Sequence, residues 1–139
     1  MTDRPELPQV LSRLRLFESC TALTREMVAN HLHLHSFAAG ETLLAAGERG
    51  DTMLIILGGT VEVSQSGEHL REMTTGDTVG ELAVFSPAPR SADVVAVTDV
   101  EVAELSAGGL RIVLSNSVAV AEELLAALAE RVRELSPGS

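Results

Sequence analysis

A long stretch of the sequence, from His33 to Leu105, is built from short apolar or alternating runs separated at close intervals by glycine or polar turn residues. Runs of this kind, with a turn about every 8 to 12 residues, are typical of the strands of a β-sandwich or jelly roll. The runs are LHSFA, ETLLAA, TMLIIL, TVEVSQ, HLREMT, DTV, ADVVAV and VEVAEL. The stretch therefore predicts about eight strands in a mainly β fold, with a hairpin whose tip is Ser66-Gly67.

Helical periodicity flanks this stretch on both sides, with apolar residues three and four positions apart. The helical segments are residues 7–17, 21–32, 111–114 and 118–135. Because the chain has the length of one domain, we predict a single domain over residues 1–139. Its parts are N-terminal helices over 7–32, a β-barrel over 33–105 and C-terminal helices over 106–135.

The last predicted helix carries two apolar stripes. The main stripe has a heptad-like spacing, which suits packing against another helix. It consists of Val118, Ala121, Leu125, Leu128, Val132 and Leu135. A second stripe is formed by Val120 and Leu124. Two interpretations stay open: both stripes pack on the domain's own barrel, or the helix over Val118–Leu135 pairs with a second copy in a homodimer.

Composition argues against several classes of partner. The chain has 20 acidic and 10 basic residues and a formal net charge of −10, so a nucleic acid or an anionic membrane surface is repelled. It has three Phe, no Trp and no Tyr, which leaves no bank of aromatic side chains for stacking on single-stranded bases. We therefore predict no direct binding of nucleic acid and no association with a membrane.

Cysteine usage and the first residues of the chain predict a cytoplasmic location. The single cysteine, Cys20, makes no internal disulfide framework and no CxxC motif, and we expect it to be a small buried apolar side chain. The first twenty residues lack the uninterrupted apolar stretch of a secretory signal. The longest apolar runs are too short to span a bilayer.

One segment, residues 76–92, breaks the rhythm of the strands. Gly80 permits a tight backbone turn, and Glu81–Phe85 has the length of one helical turn, whose first N–H groups would favour an anion. Arg90 can bind a phosphate bidentately with Ser91 as a further donor, while a carboxylate at Glu81 can accept hydrogen bonds from a sugar hydroxyl. The segment predicts a ribose-phosphate ligand. The alternative is a surface ion pair of Arg90 with Glu81 or Asp93.

Two motifs in this segment resemble the phosphate-binding cassette of the cyclic nucleotide-binding domain family. They are Gly80-Glu81-Leu82-Ala83 and Pro89-Arg90-Ser91-Ala92. The order and spacing of that family's strands and turns are matched by residues 37–41, 47–48, 56–63 and 76–77. The resemblance covers roughly residues 14–134 and extends to catabolite activator proteins, bacterial cyclic nucleotide-gated channels and the regulatory subunits of cyclic-nucleotide-dependent kinases.

The resemblance implies an eight-stranded jelly-roll barrel with an N-terminal helical bundle and a C-terminal helix that closes over the ligand. It assigns Glu81 to the ribose 2′-hydroxyl, Arg90 to the cyclic phosphate and Ser91 to the phosphate or to guanine. The backbone of Leu82 and Ala83 also contacts the phosphate in that family, and Gly80 and Ala92 complete the predicted binding residues. The family binds its ligand without hydrolysing it, so the resemblance implies a sensor and not an enzyme.

The chain departs from the family at three places. Val79 stands where the family usually has Phe, and Asp93 stands where Thr is common, so a carboxylate is expected near the phosphate. For the purine base, the last helix offers Arg131, Arg133 and Ser136 as polar candidates. The Arg90-Ser91-Ala92 sequence resembles that of bacterial relatives that answer chiefly to cAMP, so cAMP is expected, with cGMP as the alternative.

Two other functions compete with the sensor. The alternating histidines His31, His33 and His35, together with Glu41, approximate a cupin-type metal motif, although the spacing to Glu41 is too long. The second alternative is a jelly-roll interaction or dimerisation module that has lost its ligand. No output domain is visible in the sequence, so we expect either a stand-alone sensor or a regulatory domain of a larger protein.

Overall fold

A computed structural model describes residues 7–135 of the 139-residue chain. These residues form two compact units. The β unit spans Leu32–Ala107, and the helical unit is formed by the chain before and after it. The mainly β class with flanking helices is confirmed.

The helical unit contains two short helices and two longer ones. They are α1 (Leu7–Leu11), α2 (Ala22–Ala29), α3 (Ala107–Asn116) and α4 (Val118–Leu135). No helix in the described part of the chain is both long and apolar enough to cross a membrane. The bounds of α4 agree with the predicted segment 118–135.

The predicted first helix, residues 7–17, is wrong in its extent, because α1 ends at Leu11. After that residue the chain continues in tight turns: the Arg13 and Leu14 amides donate to carbonyls three residues earlier, each at 3.1 Å. Leu14 and Phe17 are buried although they lie outside a helix. The spacing of these apolar residues therefore reflects their burial and does not indicate a helix. The predicted second helix is also too long, because α2 ends at Ala29 and Leu32 already pairs with Leu105 as a strand.

Thr21 caps α2 and connects it to α4 within the helical unit. Its hydroxyl accepts a hydrogen bond from the Thr24 amide at 3.4 Å, and its own amide donates to Glu123 Oε1 at 2.8 Å. That amide lowers the pKa of the Glu123 carboxyl. Cys20 next to it is buried, as predicted, and burial followed by the negative charge of Glu123 raises the pKa of its thiol to about 11.

The β unit consists of antiparallel strands in two four-stranded sheets and one two-stranded ribbon. The strands are β1 (Leu32–Phe37), β2 (Thr42–Leu44), β3 (Arg49–Gly50), β4 (Thr52–Gly58), β5 (Thr60–Gln65), β6 (Glu68–Thr74), β7 (Thr78–Val79), β8 (Ala88–Pro89), β9 (Asp93–Ala96) and β10 (Val100–Ser106). The sheets have the orders β1-β10-β4-β7 and β2-β9-β5-β6, and β3 pairs with β8. The two sheets together hold eight strands, each at the place of a predicted run.

A buried apolar cluster joins the two sheets. Its members are Leu54, Ile56, Val61, Val63, Val79, Val94, Ala96, Val100 and Val102. Burial alternates along β5, where Val61 and Val63 are buried and the intervening Glu62 is half-buried. Each such side chain contributes about 1.5–3 kcal/mol through burial. Val79, which replaces the family's usual Phe, is therefore a core residue of this barrel.

The hairpin between β5 and β6 has the predicted Ser-Gly tip. Ser66 and Gly67 have φ angles of 53° and 80°, and the flanking Gln65 and Glu68 are paired. Positive φ at both central residues is the geometry of the tight turn that matches the twist of two antiparallel strands. The turn sets the pairing of β5 with β6 beside the tip, and the register shifts once between Val63 and Ser64.

Candidate functional site

A tight turn follows β7 at the predicted cassette. Gly80 has a φ of 74°, which favours glycine. The Ala83 amide donates to the Gly80 carbonyl at 3.1 Å, and the Ser86 amide to the Leu82 carbonyl at 3.0 Å. The predicted helical turn is thus a set of mixed hydrogen-bonded turns and not a helix, because Pro87 and Pro89 end it before successive helical bonds can form. The Ala83 amide already has a partner inside this turn.

Backbone pairing fixes the position of Arg90. Its amide donates to the Glu48 carbonyl at 2.7 Å, and its carbonyl accepts from the Gly47 amide at 2.9 Å. The ribbon of β3 and β8, in which Gly50 lies opposite Ala88, continues this pairing. Residues 88–90 are thereby held along residues 47–50, and the Cα of Arg90 has little freedom to shift.

The side chain of Arg90 extends to Gly80 and Thr52. Its Nη2 donates to the Thr52 carbonyl oxygen at 2.9 Å and to Thr52 Oγ1 at 3.0 Å. A Cβ built on Gly80 would overlap Arg90 Nη1 and would lie 2.9 Å from the Thr52 carbonyl oxygen. The guanidinium therefore lies against the Gly80 backbone, and the structure brings Arg90 and Gly80 together as predicted.

Both hydrogen bonds of the Arg90 guanidinium use the same nitrogen. A guanidinium has five N–H groups. The two on Nη2 are directed to Thr52, so those on Nε and Nη1 have no hydrogen-bond partner among residues 7–135. Nη2 is thus held by Thr52, while the donors on Nε and Nη1 stay available for single charge-assisted hydrogen bonds to an anion.

Burial lowers the pKa of Arg90, and the negative charges of Asp51 and then Glu104 act in the opposite direction. An arginine stays charged under such a shift because its ordinary pKa is very high. A partly desolvated guanidinium interacts more strongly with an anion than an exposed one. Arg90 is thus a partly buried cation with the carboxylates of Asp51 and Glu104 nearby.

In the alternative interpretation Arg90 pairs with Glu81 or Asp93, but the Asp93 carboxylate has a different partner. Asp93 Oδ1 accepts instead from the Ala46 amide at 2.8 Å. This bond ties the start of β9 to the turn that precedes β3. The carboxylate at Asp93 therefore has a structural partner.

A cavity of about 310 Å³ opens beside Arg90 within the β unit. Apolar side chains of β1, β2 and β4 line part of it, and charged groups line the rest. The charged and polar lining consists of His35, Glu48, Arg49, Asp51, Thr52, Arg90 and Glu104. This volume is within the range of small-ligand sites. Arg90 is the one predicted binding residue among its lining residues in the described chain.

The other predicted binding residues lie outside that lining. Thr78 Oγ1 donates to Glu81 Oε2 at 3.4 Å, and the side chain of Leu82 is exposed. The Ser91 carbonyl accepts from Gln65 Nε2 at 2.9 Å, and Ala92 packs against the apolar core. Their roles toward a ligand stay predictions.

The predicted contacts to a base lie on α4. Arg131 Nη1 donates to Glu134 Oε1 at 3.2 Å, and Arg133 is exposed. Ser136 lies outside the described residues. The assignment of Arg131 and Arg133 to a purine base is therefore still a prediction.

Two of the four histidines lie against carboxylates. His35 Nε2 lies 3.0 Å from Glu104 Oε1, and His69 Nδ1 lies 2.6 Å from Glu62 Oε2 on the other sheet. Within residues 7–135, no group of three or more His, Cys, Asp or Glu side chains is arranged to hold a metal ion. These residues therefore contain no ligand set for the metal site of the cupin-type alternative.

Sequence reasoning missed two residues that hold Arg90, namely Thr52 and Gly50. Thr52 is the first residue of β4, and a Cβ on Gly50 would overlap the Arg90 side chain. Both belong to a neighbourhood created by pairing the two-residue strands β3 and β8. Strands this short have no period, so no pattern in the sequence predicted their pairing.

Comparison with known proteins agrees with this geometry. The cyclic nucleotide-binding domain family matches residues 34–117. The CRP-like cAMP-activated global transcriptional regulator of Mycobacterium tuberculosis is 29% identical over 132 residues, which are 91% of this chain and 59% of that protein. A cAMP-dependent protein kinase regulatory subunit of Aspergillus niger is 32% identical over 103 residues, or 73% of this chain and 25% of that protein.

A solved structure shares the fold over nearly the whole chain. It is the N-terminal domain of a transcriptional regulator from Streptomyces coelicolor A3(2), with a TM-score of 0.85 and 28% identity over 93% of this chain and 96% of that one. The curated relatives are longer, since this chain spans 59% of the first and 25% of the second. The family match covers more than half of the chain and includes Gly80 and Arg90. The chain therefore belongs to the cyclic nucleotide-binding domain family.

Proposed function

We propose that this chain is a cAMP sensor domain and not an enzyme. The observation that carries the proposal is the state of Arg90: Thr52 holds its guanidinium against Gly80, and its Nε and Nη1 donors have no partner in the described chain. A cyclic phosphate carries one negative charge shared by two exocyclic oxygens, and such an oxygen can accept a charge-assisted hydrogen bond from a free guanidinium donor. No step of such a function requires a catalytic group.

Glu81 is the proposed partner of the ribose. It lies one residue after Gly80, at the same turn as the Arg90 guanidinium. A carboxylate there accepts a hydrogen bond from the 2′-hydroxyl, which a 2′-deoxyribose lacks. The proposed phosphate site also includes the turn residues Leu82 and Ala83 together with Ser91 and Ala92. Because the Ala83 amide is bonded to Gly80, its contribution to the phosphate requires the turn to rearrange on binding.

The choice of cAMP over cGMP rests on the Arg90-Ser91-Ala92 sequence and on two of the relatives. The mycobacterial regulator is described as cAMP-activated and the Aspergillus niger subunit as cAMP-dependent. A hydroxyl at Ser91 is compatible with either purine, so the residues themselves leave cGMP as the alternative.

The test is calorimetric titration of the purified chain with cAMP, cGMP, 2′-deoxy-cAMP and 5′-AMP. We expect cAMP to bind most tightly, and Arg90→Ala to weaken its binding on the order of a hundredfold because a charge-assisted contact to the phosphate is lost. The variant Arg71→Ala, at an exposed strand residue of the same unit, serves as the matched control for the loss of one positive charge. Absence of heat with either cyclic nucleotide at high micromolar concentration would favour the ligand-free interaction module.

We further propose that α4 passes the signal on by moving when the ligand binds, and that it pairs with the same helix of a second copy. Val118, Leu125 and Val132 follow one another at intervals of seven residues and are 76%, 68% and 42% exposed. Val120 and Leu124, the second stripe, are buried. An exposed apolar stripe with this spacing suits a helix pair.

Sedimentation of the chain tests the dimer. We expect a dimer that Leu125→Glu converts to a monomer, whereas the exposed position Glu122→Gln on the same helix leaves it unchanged. A monomer at high micromolar concentration would remove the helix pair from the proposal. We also propose that an output domain or a partner protein receives this signal, because the curated relatives are longer than the region that they share with this chain.

A further inference from the structure

Gly50 is a glycine whose side-chain position is already occupied. It is buried, and it pairs with Ala88 in the ribbon of β3 and β8. A Cβ built on it would overlap Nε and Cζ of Arg90 and would lie 2.7 Å from Cδ. Its φ is outside the left-handed region, so the backbone itself accepts an L-residue there. Glycine is needed at this position for space and not for conformation.

The Arg90 side chain has little room to yield to such a Cβ. The overlapping atoms are in the middle of the side chain, and both ends are held. At one end the backbone of Arg90 pairs with Glu48 and Gly47, and at the other Nη2 bonds both oxygens of Thr52. A Cβ at residue 50 must therefore break the Thr52 contacts, distort the Arg90 rotamer or shift the ribbon.

We infer that Gly50 is a positioning residue for Arg90, because the absence of its side chain lets the arginine reach Thr52 and Gly80. Its effect on ligand affinity rests on the proposed function, since it acts only through the phosphate-binding guanidinium. Its effect on folding does not, because the clash exists without ligand. The two effects can be measured separately.

A double-mutant cycle between Gly50→Ala and Arg90→Ala tests the coupling by urea unfolding. Gly58→Ala is the matched control: Gly58 is in the same β unit, its φ is outside the left-handed region, and a Cβ there meets nothing within 4 Å. Gly58→Ala therefore measures how the replacement of a glycine changes the free energy of unfolding when the new Cβ causes no clash.

We expect Gly50→Ala to lower the folded-to-unfolded ratio at least about tenfold, which is about 1.4 kcal/mol, and Gly58→Ala to change it less than about threefold. In the Arg90→Ala background, Gly50→Ala should cost less than about threefold, because the Cβ enters the space that the arginine leaves. If Gly50→Ala folds only when Arg90→Ala is also present, that result also supports the coupling between the two residues. An equal cost in both backgrounds, or failure to fold in both, would overturn the inference.

Affinity for cAMP supplies the second readout. In the otherwise wild-type chain, Gly50→Ala should weaken binding about tenfold or more while Gly58→Ala leaves it unchanged. If the stability cycle shows coupling but the affinity of Gly50→Ala equals that of the wild type, the positioning role is wrong. If the wild type binds no cyclic nucleotide, the proposed function fails, and the stability cycle still decides whether Gly50 positions Arg90.

Discussion

The substitution Thr52→Val removes one of the two oxygens that orient Arg90 and keeps the other. The hydroxyl accepts from Nη2 at 3.0 Å, while the backbone carbonyl accepts from the same nitrogen at 2.9 Å and is present in any residue. Valine preserves the shape of threonine and its preference for strands, so β4 should form as before. The variant thus isolates the effect of one hydrogen bond on the guanidinium.

The expected magnitude follows from the number of anchors lost. A hydrogen bond to a charged group contributes about 1.5–3 kcal/mol when fully effective. The Arg90 guanidinium keeps its carbonyl anchor and is only half-buried, so water replaces part of the lost interaction. We expect a net loss of about 1 kcal/mol, or about fivefold in the dissociation constant for cAMP. The loss should be much smaller than that of Arg90→Ala.

Calorimetric titration with cAMP measures this difference, and urea unfolding of each variant verifies that the fold is intact. Thr42→Val is the matched control, because Thr42 is an exposed residue of β2 in the same unit. Two results would refute the reasoning: Thr52→Val binding as tightly as the wild type, which removes the hydroxyl from the orientation of Arg90, or binding as weakly as Arg90→Ala, which gives the hydroxyl a role beyond orientation.

Three further perturbations test other parts of the structure. Burial and a pKa of about 11 should make alkylation of Cys20 by iodoacetamide at pH 8 on the order of a hundredfold slower in the folded chain than in urea, and equal rates would contradict this. The lowered pKa of Glu123 stabilises the fold at pH values above its unfolded pKa, and that contribution is lost as the pH falls through its folded value. The urea midpoints of the wild type and Glu123→Gln should therefore differ modestly near pH 7 and converge toward pH 3; a constant difference would count against the Thr21 contact. Asp93→Ala should lower the free energy of unfolding by about 1 kcal/mol and weaken cAMP binding by loosening the turn at Ala46, whereas tighter binding would mean that the carboxylate repels the phosphate.

The sequence predicted the strands well, because their signal is local. Each of the eight strands in the two sheets has its own apolar or alternating run, and the turn at Ser66-Gly67 requires residues that tolerate positive φ. The contact between Arg90 and Gly80 was also predictable, since the two motifs that contain them match the family's cassette. Helical spacing was less informative at the N-terminus, where Leu14 and Phe17 are buried in turns.

What the sequence could not predict depends on pairing between distant residues. The partner of Asp93 is the Ala46 amide, and the partner of Arg90 is Thr52, 38 residues away. The first contact joins the start of β9 to the turn before β3, and the second joins the residue after β8 to the start of β4. Both depend on pairing between strands that are distant in the sequence and not on any local period. The space requirement at Gly50 has the same origin.

The central claim is that Arg90, held by Thr52, receives the phosphate of a cyclic nucleotide on its remaining donors. A crystal structure of the chain with cAMP measures this directly. In that structure we expect an exocyclic phosphate oxygen about 2.7–2.9 Å from Nε or Nη1 of Arg90, with Nη2 still bonded to Thr52. A nucleotide whose phosphate lies elsewhere, with Arg90 unchanged, would contradict it.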